Sequence, residues 1–240
     1  MRIFELNPDY YLCNRCKSVI RKEESPIDYN ADWFDEKYIE GLVKILDSDR
    51  IHYDNMFNQK YFKPALEMKF DTVHSFGGGM PKLESYLHCN KIAVYDINAS
   101  KYEQYKDKFA EKFNVDTNKL QFNDCDVNPE FVSGIKTGSG DLFCFVHILE
   151  HVPQDYIMKL FDSLKLCPAG ILIYQPNIQT AKDAEWCHFH KEHITFARLK
   201  WFVKRIKKQL KQKVLIARRH SDDFLLLSKK REKFWQKIEV

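Results

Sequence analysis

Apolar residues fall into short runs separated by amphipathic stretches through most of the chain after about residue 69. The runs are rich in β-branched and aromatic residues, which favour strands. We predict buried strands over residues 72–76, 91–95, 120–122, 141–146 and 170–174. Helical spacing predicts helices over residues 81–88, 102–113, 155–166 and 201–210. This alternation predicts an α/β fold built on a doubly wound, mostly parallel sheet.

The two ends of the chain depart from that alternation. Residues 213–217 and 223–228 predict a closing hairpin, which would add an antiparallel terminal strand. Residues 10–20 predict two short strands around a knuckle, and further helices are predicted from near residue 30 or 32 and over about residues 53–61. We therefore divide the chain into residues 1–65, an N-terminal knuckle and helical lid, and residues 66–240, the main domain.

Composition narrows the class of protein. The 240 residues are 44% hydrophobic and 14% aromatic, enough to build the core of one α/β domain with additional elements. The N-terminus lacks the apolar segment of a signal peptide, and no apolar run approaches a membrane span in length. Seven cysteines, an odd number, favour reduced thiols. We expect a soluble, cytoplasmic protein with no membrane partner.

Positive charge is concentrated between residues 200 and 213, although the net charge is only +4. Such a stretch could bind nucleic acid or an anionic substrate. It could equally be the solvated face of an amphipathic helix, because Phe202, Ile206 and Leu210 recur at helical spacing between the basic residues. We favour the solvated face.

A glycine-rich turn follows the first strand of the main domain, and an acidic residue ends the second. The three glycines at 77–79 permit positive φ and let a ligand approach the backbone closely. Asp96 is suited to accept hydrogen bonds from both hydroxyls of an adenosine ribose. A dinucleotide site usually has a third, more distant glycine, whereas this loop continues with Met80 and Pro81. A nicotinamide-dependent reductase is therefore a distant alternative.

Segments after the fourth and fifth strands make the pattern more specific. Residues 149–153 read Leu-Glu-His-Val-Pro, residues 170–177 contain the fifth strand, and residues 192–196 read Glu-His-Ile-Thr-Phe. With the glycine turn, they resemble class I S-adenosylmethionine (SAM)-dependent methyltransferases, in the small-molecule group that includes ubiquinone-pathway and sugar O-methyltransferases. The resemblance spans about residues 70–228. It implies a Rossmann-like fold with SAM bound by residues 66–240.

The resemblance also implies which residues contact the cofactor. The glycines would border the methionine portion of SAM, and Asp96 would bind the ribose. Asp124 and Cys125 would lie beside the adenine, and His147 below the sulfonium. The cofactor residues predicted in this way are Ser75, Phe76, Gly77, Gly78, Gly79, Asp96, Ile97, Asp124, Cys125 and His147.

Ser75 departs from the pattern of these methyltransferases. They usually have an acidic residue two positions before the first glycine, where this chain has serine. The hydroxyl can still hydrogen-bond the amine of the cofactor, but the negative charge is lost.

A cluster of histidines and one acid follows the fourth strand. Some relatives carry Glu-x-x-Glu-His there and bind a divalent ion with it and a later histidine, whereas this chain reads His-x-x-Glu-His, with His188, His190 and His193 downstream. The resemblance makes His147, Glu150, His151 and His193 candidate metal ligands. Imidazole and carboxylate ligands suit zinc, iron, nickel or manganese better than magnesium.

Two other interpretations of this cluster stay open. In metal-free relatives the Glu-His pair is structural, capping a helix and bonding the backbone. Alternatively, His151 or His193 acts as a general base on an acceptor hydroxyl, because neutral imidazole accepts protons near physiological pH. The candidate catalytic residues are therefore Glu150, His151 and His193.

Cys13 and Cys16 have the spacing of a zinc knuckle, but a closed structural zinc site needs four ligands. His52 and Cys89 do not complete it convincingly, so we favour a reduced, vestigial knuckle. The resemblance also implies that residues 13–63 form the lid that selects the acceptor.

The predicted function is SAM-dependent methyl transfer to an oxygen or nitrogen of a small polar metabolite, such as a sugar or a sugar-derived intermediate. One alternative is an RNA-directed (ribose 2′-O) methyltransferase, favoured by the basic stretch and the partial metal motif. A second is a non-catalytic methyltransferase-like binding protein, which the serine at position 75 keeps open. The sequence leaves the oligomeric state open.

Overall fold

The computed structural model of the protein describes residues 9–12, 18–22, 36–180, 193–220 and 222–230. The strands are β1 Tyr10–Leu12, β2 Val19–Arg21, β3 Lys69–Phe76, β4 His88–Asp96, β5 Leu120–Asp124, β6 Leu142–Val146, β7 Gly170–Pro176, β8 Thr195–Phe196, β9 Gln212–His220 and β10 Asp223–Lys230. The α-helices are α1 Glu36–Lys44, α2 Leu46–Phe57, α3 Lys63–Glu67, α4 Ala99–Glu103, α5 Lys106–Phe113, α6 Pro129–Gly134, α7 Gln154–Ser163 and α8 Leu199–Lys208. Single 3₁₀ turns lie at Glu84–Tyr86, Thr117–Lys119, Leu164–Leu166 and Ile178–Thr180.

Seven strands form one sheet in the order β5-β4-β3-β6-β7-β10-β9. The first five are parallel, and β10 and β9 close the edge as an antiparallel pair. This confirms the predicted doubly wound sheet and its closing hairpin. The strand order reverses between β3 and β6, and ligands bind at such a point in open α/β sheets.

The sheet is covered on both faces, as parallel strands require. Strand β6 shows this clearly, because all of its residues are buried and they alternate between two cores. Leu142, Cys144 and Val146 belong to one hydrophobic cluster, with α1, α2 and α5. Phe143 and Phe145 belong to the other, with α7 and α8. The period of two follows from the pleat of the strand.

Several helix predictions need correction. The predicted helix over 81–88 is one 3₁₀ turn, because β4 pairs with β3 from His88 onward and the chain must already be extended there. The predicted helix over 102–113 is interrupted after Glu103, where a bond from Tyr105 N to the Tyr102 carbonyl closes a tight turn. The second N-terminal helix begins at Leu46, earlier than predicted.

A separate three-stranded antiparallel sheet has the order β1-β2-β8. Val19 pairs with Phe196, and the Tyr10 hydroxyl donates to the His193 carbonyl oxygen at 3.0 Å. The N-terminal hairpin is thus attached to the segment after β7, and the boundary at residue 65 stays a prediction. Cys13 and Cys16, with the proposed knuckle, lie outside the described residues, as do His188 and His190.

Helix α8 carries the basic stretch. Its apolar residues Trp201, Phe202 and Ile206 are buried in the core, and the Arg205 guanidinium lies 5.1 Å from the centre of the Trp201 ring. This arrangement agrees with a solvated basic face on an amphipathic helix. No helix within the described ranges is long and apolar enough to cross a membrane.

Candidate functional site

A cavity of about 370 Å³ lies at the carboxyl ends of β3, β4 and β6, where the strand order reverses. That volume is in the range of ordinary small-molecule sites. Its described lining consists of Leu42, Gly77, Gly78, Gly79, Met80, Lys82, Asp96, Ile97, Tyr102, Asp126, Val127, Val146, His147, Ile148, His151 and Val152. The lining therefore combines the glycine turn, the end of β4 and the segment after β6.

The glycine loop, residues 77–79, turns sharply out of β3. Gly77 and Gly79 both have φ of +62°, a left-handed conformation that residues with a Cβ rarely adopt. A Cβ on Gly79 would lie 3.0 Å from the ring of Tyr102, and one on Gly78 would lie 3.2 Å from the Val146 carbonyl oxygen. The loop requires glycine both for its conformation and for the closeness of its neighbours.

Asp96 ends β4 at the cavity with 7% of its surface exposed. Its Oδ1 accepts a hydrogen bond from the Asn98 backbone at 2.9 Å. Burial raises the pKa of this carboxyl, and hydrogen bonds from the Asn98 and Gly79 backbones act in the opposite direction. The bonds fix the carboxylate at the edge of the glycine loop, where a ribose hydroxyl would find an acceptor.

The structure places the predicted cofactor residues in two groups. The glycine loop, Asp96, Ile97 and His147 line the cavity. The other four, Ser75, Phe76, Asp124 and Cys125, are not part of the described lining.

Three of these four have contacts with other parts of the protein, and the prediction that all four contact the cofactor stays a prediction. The Ser75 hydroxyl donates to Glu84 Oε1 at 2.6 Å, and Phe76 stacks on Tyr95 and Phe145 in the core. Asp124 accepts a hydrogen bond from the Ser100 backbone. Beyond β5 the wall is formed by Asp126 and Val127, which follow Cys125 directly in the chain.

An acid–histidine cluster, composed of Glu150, His151 and His193, lies beside the cavity, and His151 lines it. One potential ligand atom from each residue lies within 4.8 Å of the other two. The His151 and His193 rings are 4.6 Å apart between centroids. Backbone bonds hold the two segments together, since Ile194 N and Thr195 N both donate to the Glu150 carbonyl oxygen. The sequence analysis grouped these three residues as candidate metal ligands, and the structure places them close together.

Glu150 is fully buried next to three imidazoles. Burial alone would raise the pKa of its carboxyl, but the hydrogen bond from His147 and the charges of His147, His151 and His193 lower it to about 2. Its Oε1 bonds His147 Nδ1 at 3.0 Å, while Oε2 has no hydrogen-bond partner in the part of the chain that the structure describes. A buried carboxylate oxygen of this kind calls for a proton donor or a cation.

His147 differs from the other three candidate metal ligands in its surroundings. It is absent from the three-residue group, and its Nδ1 is occupied by Glu150. Its Nε2 lies 4.0 Å from Asp223 Oδ2, and its φ of +50° is unusual for a residue with a side chain. Burial lowers the pKa of His147, but Glu150 and Asp223 outweigh burial and raise it. Its hydrogen bond orients Glu150, and its role as a metal ligand stays a prediction.

A buried polar network that sequence reasoning missed continues from Asp223. The Tyr174 hydroxyl donates to Asp223 Oδ2 at 3.1 Å and lies 2.9 Å from His52 Nε2. It connects α2, β7 and β10, which are far apart in the chain. Nothing in the spacing of these residues could have indicated the contact.

No protein-family model and no curated protein matches the chain at the sequence level. Solved structures do match. An O-methyltransferase family protein from Burkholderia thailandensis has a TM-score of 0.60 at 12% identity, covering 84% of this chain and 62% of that one. Human N-acetylserotonin methyltransferase, in complex with SAM, has a TM-score of 0.53 at 14% identity, covering 82% and 57%.

A 16S rRNA methyltransferase in complex with S-adenosyl-L-homocysteine matches with a TM-score of 0.53 at 14% identity, covering 82% of this chain and 75% of that chain. The chain thus spans 62% of the Burkholderia protein and 57% of the human protein. At these identities the likeness concerns the fold. The chain has the fold of class I SAM-dependent methyltransferases, as the sequence resemblance implied.

Proposed function

We propose that this protein is an enzyme that transfers a methyl group from SAM to an oxygen or nitrogen of a small polar metabolite, such as a sugar or a sugar-derived intermediate. The observation that carries the proposal is the position of the acid–histidine cluster. His151 lines the same cavity as the glycine loop and Asp96, so a proton acceptor stands next to the predicted cofactor site.

The residues present fit SAM. The backbone of the glycine loop and the Asp96 carboxylate are suited to the methionine and ribose portions, and an added Cβ on Gly79 would crowd the Tyr102 ring at 3.0 Å. SAM supplies an activated methyl group when bound. The task left to the protein is to align the acceptor for in-line attack and to remove its proton.

The cluster supports two ways of removing that proton. His151 or His193 would accept it directly, as a general base oriented by the ionised Glu150. Alternatively, Glu150 Oε2 and the two imidazoles would hold a divalent ion, which lowers the pKa of a bound hydroxyl. The orphaned, buried Oε2 favours a cation, and the nitrogen-rich donor set favours zinc, iron, nickel or manganese.

An RNA acceptor is the second candidate. The match to a ribosomal RNA methyltransferase is as good as the match to the human small-molecule enzyme, so the fold does not separate the two. The basic residues of α8 favour RNA, whereas the enclosed position of the cluster, with Glu150 and His193 buried, favours a small acceptor.

The first experiment is calorimetric titration with SAM, with the nicotinamide dinucleotide as control. Saturable binding of SAM alone is expected. Turnover is then measured as S-adenosylhomocysteine formation on a panel of sugars and hydroxylated metabolites, with structured RNA as a separate arm. Activity confined to RNA would overturn the small-molecule proposal, and absence of SAM binding would overturn the enzyme proposal altogether.

The two proton-removal mechanisms are separated by chelation. A metal-dependent enzyme loses turnover when dialysed against a chelator and regains it with manganese or zinc, while its SAM affinity stays the same. A general-base enzyme keeps its activity through the same treatment.

A further inference from the structure

Glu84 is a buried acid outside every motif discussed so far. It begins the 3₁₀ turn between β3 and β4, and only 1% of its surface is exposed. Its Oε1 accepts a hydrogen bond from the Ser75 hydroxyl at 2.6 Å. An acid at this depth requires an explanation, because burying a charge without compensation is costly.

Glu84 has no ion-pair partner within the described ranges. None of the ion pairs that the described residues form includes Glu84. Burial raises the pKa of Glu84, and the hydrogen bonds from Ser75 and from its own backbone, with the charge of His147, only partly oppose this effect. The carboxyl group is therefore placed to gain stability from a cation that arrives with a ligand.

The Ser75–Glu84 pair adjoins the glycine loop through Ser75. The position of a Cβ on Gly78 would be 3.9 Å from Ser75 Oγ, and Gly78 lines the cavity. Ser75 is also the position at which the resembling methyltransferases usually have an acid. The serine lacks the charge, but its hydroxyl contacts a carboxylate that enters from the turn after the loop.

We propose that Glu84 supplies, through Ser75, the negative charge that the glycine loop needs to bind the α-ammonium group of the cofactor. The inference rests on the proposed function, because it assumes a SAM site at this loop. The ammonium is the group concerned, since the loop is expected to border the methionine portion. Glu84 is thus a specificity-determining residue for ligands that carry an amino acid moiety.

The test is calorimetric titration of wild type and Glu84→Gln with three ligands. SAM carries the ammonium and the sulfonium, S-adenosylhomocysteine keeps only the ammonium, and 5′-methylthioadenosine has neither. The variant should bind SAM and S-adenosylhomocysteine about tenfold more weakly or worse, because the amide can still accept the Ser75 hydrogen bond but the negative charge is lost. Its affinity for methylthioadenosine should equal that of wild type, which also shows that the cavity is folded.

Glu103→Gln is the matched control, because Glu103 is an exposed acid in α4 next to Tyr102 of the cavity wall. It should leave all three affinities unchanged. Adding Ser75→Asp to Glu84→Gln should restore binding of the two ammonium-bearing ligands by returning the charge to the loop.

Equal affinities of Glu84→Gln and wild type for SAM would overturn the inference alone. A loss confined to SAM would also overturn it, because the recognised charge would then be the sulfonium. A wild type that binds none of the three ligands would overturn the proposed function together with the inference.

Discussion

Two histidines lie on either side of the candidate site: the buried His74, in the strand that leads into the glycine loop, and the half-buried His147, beside the acid–histidine cluster. His74 in β3 stacks on Tyr95 and meets Phe143 edge-on, and burial lowers its pKa to about 4. His147 after β6 is also affected by burial, but Glu150 and Asp223 raise its pKa instead. The same residue type is therefore held neutral on one side and favoured as a cation on the other.

The difference reflects the kinds of chemical group that the two walls of the cavity offer to a ligand. The glycine loop offers backbone groups and close approach, with its charges, Glu84 and Asp96, kept beside it. The cluster wall offers side chains whose charges depend on one another, since the imidazole neighbours of Glu150 lower its pKa against the effect of burial. Changes on the loop wall should thus alter cofactor binding, and changes on the cluster wall should alter turnover.

The largest effect is expected from His193→Asn. Removing a proton acceptor or metal ligand from the cluster should lower turnover by about 10²- to 10⁴-fold, while SAM affinity stays unchanged because His193 is outside the described cavity lining. Initial rates and calorimetry measure the two quantities separately. His88→Asn, at an exposed histidine that begins β4, is the control. Undiminished turnover in His193→Asn would remove the cluster from the mechanism.

Asp96→Ala tests the other wall of the cavity, the one formed by the glycine loop and Asp96. Loss of charged hydrogen bonds to the ribose should lower SAM affinity by about a hundredfold. Asp124→Ala is the informative comparison, because Asp124 ends the next strand but bonds the Ser100 backbone. Its affinity for SAM should change by less than about threefold. Equal losses of SAM affinity in the two variants would instead support the predicted contact of Asp124 with the adenine.

The protonation difference between the two histidines gives a pH prediction. Because the pKa of His74 is about 4 in the folded protein and 6.5 ordinarily, the unfolded chain takes up the proton first, and stability is lost as the pH falls from about 6.5 to about 4. Between pH 7 and pH 4, the free energy of unfolding of His74→Phe should fall by about 2 kcal/mol less than that of wild type. Urea unfolding of both proteins at pH 7 and pH 4 measures it. Parallel losses in the two proteins would show that His74 titrates normally.

The smallest effect is expected from Gly79→Ala, at φ +62° and against the Tyr102 ring. It should weaken SAM binding by about tenfold, since an alanine in this conformation costs about 1 kcal/mol before any clash with Tyr102. Gly41→Ala is the matched change in α1, where nothing lies within 4 Å of the added carbon. That variant should be as stable as wild type or up to about 1 kcal/mol more stable, with unchanged SAM affinity. Tight binding by Gly79→Ala would show that the loop rearranges easily.

Much of the fold could be predicted because strands and their ends are local features. The apolar runs of β3, β4 and β6 predicted buried strands, and the residues that follow these strands had to meet at one edge of a parallel sheet. The glycine loop and Asp96 were found for that reason. The short turn at Glu84–Tyr86 was mistaken for a helix, because only the pairing of β4 with β3 shows that the chain is already extended at His88.

The sequence by itself determined the order of the candidate functional segments along the chain: the glycine loop, the acid expected to bind the ribose, and then the Glu-His pair. It could not determine which distant groups meet. Ser75 with Glu84, and Tyr174 with both His52 and Asp223, are contacts that only tertiary packing decides. Backbone propensity acts over a few residues, whereas the charge state of a buried acid or imidazole depends on whichever side chains the fold brings within hydrogen-bonding distance.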